Sequence, residues 1–251
     1  MSLSIQSDPV SSPLRDSVKT VSAGASESPA IVSISDIHGY LGEARSALMT
    51  LDDHPDFVPV VTSGDDGVLH WADENYVLVF NGDLVDRGPQ NKETLSMVER
   101  LVDEAPAGRV RVTLGNHESM ILAPNEYRFA DWYSTNVDCD ERKQFLQSIA
   151  DGHVIAAYEG HTVTYAHAGA TTDYDTQVVN DALIDAAEEL RAAIGTMDDG
   201  TVQSRLSEDY PFVLGKGSKG VKGPSAGVIW MSWEHLTPDS PPQVVGHTRQ
   251  T

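Results

Sequence analysis

Five apolar, β-branched runs along this chain each lead into a side chain able to hold a metal ion, and few folds accommodate that pattern. The runs are Ile31 to Ile34, Tyr76 to Phe80, Val110 to Leu114, Thr162 to Tyr165 and Val244-Val245. They close, in order, on Asp36-Ile37-His38-Gly39, Gly82-Asp83-Leu84-Val85-Asp86-Arg87-Gly88, Gly115-Asn116-His117-Glu118, His167-Ala168-Gly169 and Gly246-His247-Thr248. Such runs read as parallel strands buried on both faces. In open α/β sheets the ligand crevice lies beyond the carboxyl ends of the strands. The expected fold class is α/β, with five strand ends delivering Asp36, His38, Asp83, Asn116, His167 and His247 to one place.

The stretches between the motifs carry helix and turn signals. Helices are expected over Leu41 to Leu51 and from Asn91 onward, where Leu95, Val98, Leu101 and Val102 share a face. Another runs to Ile149 behind a capping box of Asp138 and Glu141. A fourth starts at an Asn180 cap, carries Leu183, Ile184, Ala187, Leu190 and Ile194, and ends at Gly195. Phe57 to Val61 and Val68 to Trp71 flank Gly64-Asp65-Asp66-Gly67, a hairpin signal. Residues 196–224 read as loop. Residues 1–29 are poor in large apolar side chains and are expected to form a disordered tail, leaving 30–251 as one domain that holds every motif.

Charge narrows the partners. Lys and Arg number 17 against 38 Asp and Glu, a formal charge of −21. Nucleic acid and anionic membranes need clustered cations, so neither is an expected partner. Acidic residues spread along the whole chain fit a salt-rich, halophilic cytoplasm. The single cysteine, Cys139, has no internal disulfide partner, which suits a reducing compartment. No segment has the apolar length of a membrane span or the core of a signal peptide. A soluble cytoplasmic protein is expected, a monomer by default.

The residue types set the chemistry. Two cations side by side can acidify a water and clamp phosphoryl oxygens. A mixed Asp, His and Asn set favours Mn, with Fe or Zn as alternatives, over Ca or Mg alone. Asp36 and His38, two apart on an extended segment, would face the same ion. Asp83 would bridge both ions, and Asn116, His167 and His247 would complete the set. His117 is the candidate general acid, with Asp86 fixing its tautomer. Arg87 offers a planar fork to phosphoryl oxygens, and Gly82 and Gly88 permit the tight turn that brings these groups together.

Taken together, these motifs resemble the calcineurin-like metallophosphoesterase superfamily. The Gly-Asp-Leu-Val-Asp-Arg-Gly and Gly-Asn-His-Glu pair is similar to its phosphoprotein phosphatase branch, and the regions around Trp71 and Gly115 to Tyr127 resemble its bacterial, Shewanella-like type. The resemblance spans residue 31 to the C-terminus. It implies a four-layer αββα β-sandwich flanked by helices and the same ligand, acid and phosphate-binding roles. The implied reaction is hydrolysis of phosphoserine or phosphothreonine by in-line attack of a two-metal-bound hydroxide. The alternatives are a dinucleoside polyphosphate hydrolase of the diadenosine tetraphosphatase kind and a non-catalytic, metal-bound, phosphate-binding regulator.

Two departures from the family pattern stand out. A second phosphate-binding Arg is expected before the last His motif, but Ile229-Trp230-Met231-Ser232-Trp233 occupies that region. Arg249 or a lysine among Lys216, Lys219 and Lys222 is the candidate substitute; that segment otherwise reads as a flexible surface loop, and it lacks the frame of a P-loop. Family members also continue with further strands past the last His, so C-terminal strands are expected to be missing. His161, too far along its strand to share a metal with His167, and His54, His70, His153 and His235 are expected at the surface or at strand edges. Trp230 and Trp233 are expected in the core or shaping substrate access.

Overall fold

The computed structural model describes residues 16–21, 28–52, 54–127, 129–217 and 221–249. Lys219 therefore lies outside the described residues, as does most of the segment expected to be a tail. In chain order the elements are β1 (Ala30–Ile34), α1 (Leu41–Leu48), β2 (Val61–Ser63), β3 (Leu69–Trp71), β4 (Tyr76–Asn81), α2 (Asn91–Glu104), β5 (Val110–Thr113) and α3 (Asn116–Leu122). There follow α4 (Cys139–Ala150), β6 (Val154–Ile155), β7 (Ala157–Glu159), β8 (Thr164–Ala166), α5 (Thr176–Ala193), α6 (Asp199–Asp209), α7 (Pro211–Leu214) and β9 (Gln243–Val244).

Strands β1, β4, β5 and β6 form one parallel sheet in that spatial order. β7, β8 and β9 form a second sheet, in which β8 runs antiparallel to β7 and parallel to β9. Alternation along β4 shows how the two are joined. Leu78 and Phe80 point into the core under the helices, whereas Val77 and Val79 pack with Ile155, Tyr158 and Tyr165 between the sheets. A strand with both faces in cores carries no polar side chain until Asn81. The protein is thus an α/β fold with a parallel sheet flanked by helices and backed by a smaller sheet.

Three of the five motifs follow strands of the parallel sheet. The His167 and His247 motifs follow β8 and β9 of the second sheet. Asn81 stitches the sheets at their carboxyl ends: its Nδ2 donates to the carbonyls of Ala166 (3.2 Å) and Val244 (3.3 Å), and its Oδ1 accepts from Thr113 Oγ1 (2.8 Å).

Several local expectations are corrected. Asp175 caps α5, accepting from the Gln177 amide. Asn180, expected as that cap, is buried where the chain switches sheets. Its Oδ1 accepts from the Ala156 and Ala157 amides at 2.9 and 3.0 Å, satisfying two buried donors at the switch between the sheets. The first arm of the hairpin starts at Val61, not Phe57. Residues 199–209 and 211–214 are helical rather than loop, because Val202, Leu206, Val213 and Leu214 are buried on a helical spacing too sparse to stand out in a polar sequence. His153 is buried rather than at an edge. Within the expected tail, residues 16–21 are seated: Val18 is buried, and the Asp16 carboxylate accepts from buried Arg111 (2.5 Å) and from Asn180 (2.7 Å). A composition average over 29 residues hides six that pair a buried cation.

Candidate metal centre

The backbone is strained where the motifs are. Seven described non-glycine residues have positive φ: Asp36 (55°), His38 (50°), Asp83 (55°), Asp86 (73°), Arg87 (65°), His247 (67°) and Lys222 (79°). Each such residue costs on the order of 1–3 kcal/mol unless its surroundings enforce it, and such residues cluster at functional sites. Asp36 and His38 converge, with His38 Nε2 3.9 Å from Asp36 Oδ1. They do so through left-handed backbone beyond the end of β1, not through the extended alternation expected from their spacing. Gly82 turns at φ +78° below His167. A Cβ on Gly115 would stand 2.2 Å from the Asp83 amide nitrogen, so glycine is required there for close approach.

Buried Glu118, to which sequence reasoning gave no role, holds the turn together. Its Oε2 accepts from the amides of Asp83 (2.8 Å) and Gly115 (3.1 Å), and its Oε1 from those of Leu84 (2.8 Å) and Val85 (3.1 Å). Glutamine would turn an NH2 toward two of these donors. Glu118→Gln is therefore expected to lower stability by about 2–4 kcal/mol through unpaired buried amides. Urea unfolding checks this, and an unchanged midpoint and slope would remove Glu118 from the framework. The last position of Gly-Asn-His-Glu was the available signal, but only the fold shows what the carboxylate meets.

The histidine rings present lone pairs inward. His167 Nδ1–H donates to the Asn81 carbonyl (2.9 Å), and His247 Nε2–H donates to the Trp230 carbonyl (3.0 Å). The opposite nitrogens, His167 Nε2 and His247 Nδ1, face each other at 3.2 Å. Asn116 Oδ1 lies 3.2 and 2.7 Å from them, and Asp83 Oδ1 lies 3.3 Å from His167 Nε2. Four acceptors in one spot repel unless a positive charge sits among them. A proton answers that need only in part. Burial pushes His167 down, yet Asp83 outweighs it and lifts the ring to about 9, whereas burial and His167 drive His247 down to about 3.

A second focus lies on the other oxygen of Asp83. His38 Nδ1–H donates to the Val85 carbonyl (3.0 Å), leaving Nε2 buried, 3.5 Å from Asp83 Oδ2 and without a hydrogen-bond partner among the described residues. The Asp36 carboxylate also accepts from the His247 amide at 3.1 and 3.0 Å, tying the first motif to the last. The donor set fits a divalent cation at each focus, with Asp83 common to both: one focus of His38, Asp36 and Asp83, the other of Asp83, Asn116, His167 and His247. Backbone carbonyls that fix a ring's tautomer are a common support for metal-ligating His.

His117 stands beside this pair. Its Nδ1–H donates to Asp86 Oδ2 (2.8 Å), and that carboxylate also accepts from Ser134 Oγ (2.6 Å) and the Ser134 amide (2.9 Å). Ser134 sits in a short turn over Tyr133–Thr135 with nothing in its local sequence to mark it. His117 Nε2 faces Asp83 Oδ2 at 3.9 Å and accepts from Arg87 Nη2 at 3.3 Å, with Trp132 tilted on the ring. The open cleft, about 690 Å³, is lined by Asp36, His38, Arg87, Lys222, His247 and Arg249. Exposed Tyr40 and Trp233 form part of its rim, while Trp230 is buried behind His247. His161 lies away from the cleft, with its Nε2 against the Pro29 carbonyl.

The chain is 28% identical over 138 residues to the symmetrical bis(5'-nucleosyl)-tetraphosphatase of Vibrio cholerae serotype O1, covering 53% of this chain and 47% of that protein. It is 28% identical over 185 residues to that of Erwinia tasmaniensis, covering 72% and 54%. The chain spans about half the length of the curated relatives it matches. Among solved structures, a cold-active protein-tyrosine phosphatase of a psychrophilic Shewanella species superposes with a TM-score of 0.55 at 22% identity, covering 88% of this chain and 66% of that one, which speaks to the fold alone. A family-level profile for calcineurin-like phosphoesterases matches residues 29–195, a span that includes Asp36, His38, Asp83, Asp86, Arg87, Asn116, His117 and His167, and the chain belongs to that family.

Proposed function

We propose that this chain hydrolyses phosphate monoesters on proteins, phosphoserine and phosphothreonine foremost, with two divalent cations, manganese first among them. When bound, such cations would acidify a water and neutralise phosphoryl oxygens. Asp83 would hold both, with Asp36 and His38 on one side and Asn116, His167 and His247 on the other. The observation that carries the reading is His117, fixed by Asp86 with its Nε2 toward the cleft. A serine or threonine alkoxide is a poor leaving group and needs a proton, whereas a nucleotide leaving from a polyphosphate does not. In the free protein Arg87 donates to that nitrogen. An incoming phosphate dianion would draw Arg87 onto its oxygens and leave Nε2 to carry the proton.

Lys222 answers the missing second arginine. It lines the same cleft as Arg87, has the same left-handed backbone as six site residues, and lies near enough to Asp83 and Asp36 to feel both. Burial pushes its ammonium down from the usual lysine range, consistent with a place set aside for an anion. Arg249, exposed at the rim, is the second candidate.

One observation favours a second reading, a dinucleoside polyphosphate substrate: exposed Tyr40 and Trp233 stand at the rim where bases could stack. A panel of phosphoserine, phosphothreonine and phosphotyrosine peptides, diadenosine tetraphosphate and para-nitrophenyl phosphate separates the two. Phosphoserine and phosphothreonine peptides are expected to show the highest kcat/KM. Lys222→Ala is expected to raise their KM about tenfold, with a smaller change in kcat, as for loss of one charge-assisted contact. Preference for diadenosine tetraphosphate would overturn the protein-substrate reading. An unchanged KM would remove Lys222 from phosphate binding.

A further inference from the structure

A second cleft, about 410 Å³, opens between α1, the β2–β3 hairpin and α2. Leu41, Val68, Leu69 and Met97 form its apolar lining, and its charged lining is Arg45, Lys92, Glu93 and Arg100. Leu41 follows directly on Tyr40, which lines the rim of the metal-centre cleft, so the two clefts meet at the start of α1.

The charge of this cleft runs against the rest of the molecule. Acidic residues outnumber basic ones by 38 to 17, and Lys19, Lys92, Arg111, Arg142 and Arg205 are all taken up in salt bridges. Arg45 and Arg100 are half-buried and make no salt bridge among the described residues. On α1, the positions four residues either side of Arg45 are Leu41 and Met49, so its own helix offers no carboxylate there. Arg100 has Asp103 and Glu104 three and four positions on and makes a salt bridge with neither; the Glu104 carboxylate is held by His70 Nδ1 at 2.8 Å and the Trp71 amide at 3.0 Å. With Glu93 the one carboxylate in the lining, Arg45 and Arg100 leave the cleft net positive in so acidic a protein, which suits an anionic ligand that also carries apolar side chains.

We propose that this cleft docks an acidic, leucine-rich stretch of the substrate protein, lying beside the residue whose phosphate enters the metal centre. The proposal rests on the protein-substrate reading and adds where selectivity among phosphoproteins arises. Carboxylates of the peptide pair with Arg45 and Arg100, and its aliphatic side chains cover the half-buried Leu41 and Val68. Paired positive and negative patches of this kind give specificity and steer encounter more than they add raw affinity.

The test uses the full chain at low salt, where screening is weakest. A fluorescein-labelled peptide of alternating Glu and Leu, without phosphate, is titrated by anisotropy against wild type, R45E/R100E and the milder R45Q/R100Q. Binding is expected to weaken about tenfold or more in R45E/R100E and by less in R45Q/R100Q. In parallel, a phosphoserine peptide is assayed with and without the Glu-Leu extension. The extension is expected to lower KM several-fold in wild type and not in R45E/R100E, while turnover of para-nitrophenyl phosphate stays within about twofold, which also reports that the variant is folded. Equal peptide binding by wild type and R45E/R100E overturns the proposal. So does tighter, arginine-dependent binding of oligothymidylate, which would make the cleft a nucleic-acid site. Absence of any phosphopeptide turnover would fell the substrate reading alone, since anisotropy reads the cleft without catalysis.

Discussion

Asp83→Asn is expected to strip both cation sites and to lower turnover of para-nitrophenyl phosphate by about 10³-fold or more. The magnitude follows from geometry. Asp83 is the one carboxylate that reaches both foci, with Oδ1 3.3 Å from His167 Nε2 and Oδ2 3.5 Å from His38 Nε2. It is buried and held well below the usual carboxylate range, because the neighbouring His167, His117 and His38 outweigh its desolvation. An amide of the same shape removes the negative charge that both cations would share and turns an NH2 toward one of the two foci. Elemental analysis is expected to find about two ions per chain in wild type and fewer than one in the variant. Retention of two ions with turnover within tenfold of wild type would remove Asp83 as the shared ligand. The unfolding midpoint of the metal-free chain provides the control for damage to the turn, since the His117 amide also donates to Asp83 Oδ1 at 3.0 Å.

His117→Asn is expected to act in the opposite pattern: metal content unchanged, turnover of phosphoserine peptides lowered about 10²–10⁴-fold. Asparagine still fills space beside Asp86 but cannot deliver a proton to an alkoxide. The loss is expected to be much smaller for para-nitrophenyl phosphate, whose phenolate leaves without help. Asp86→Asn should follow the same leaving-group pattern at smaller amplitude, since it acts through the orientation and tautomer of His117 (Nδ1 to Oδ2, 2.8 Å). Wild-type turnover of phosphoserine peptides by His117→Asn would show that the proton comes from elsewhere. An equal loss on both leaving-group classes would point instead to a role in positioning.

Much of the first sheet was legible because its central strands β4 and β5 are buried on two faces. β4 appears in the sequence as an unbroken apolar run, β1 and β5 as apolar runs interrupted by Ser33 and Arg111, and α2 and α4 announce themselves by periodicity and by the Asp138–Glu141 capping box. Legibility failed where a short element draws its stability from what it packs against. α6 has Val202, Gln203 and Leu206 as its buried residues, and Asn180 resembles a helix cap until its amide partners at Ala156 and Ala157 are seen. Asp16 gave no hint of Arg111, 95 positions away. Such pairings carry no local signature, because the two partners are related only through the fold.

The order of the candidate ligand residues, their chemistry and their place after apolar strands are read from the sequence alone, since strands buried on both faces are apolar and Asp, His and Asn side chains carry the lone pairs a divalent cation takes. Which nitrogen of each ring faces inward, the left-handed backbone that turns Asp36, His38 and Asp83 toward each other, and the support from Glu118 and Ser134 were decided only by tertiary structure. So were the division of the motifs between two sheets, the placing of Lys222 in the cleft and of Arg45 and Arg100 over their own. The physical reason is common to all of them. A side chain's identity is local, but the direction of its lone pair and the neutralisation of its charge depend on groups that folding brings from far along the chain.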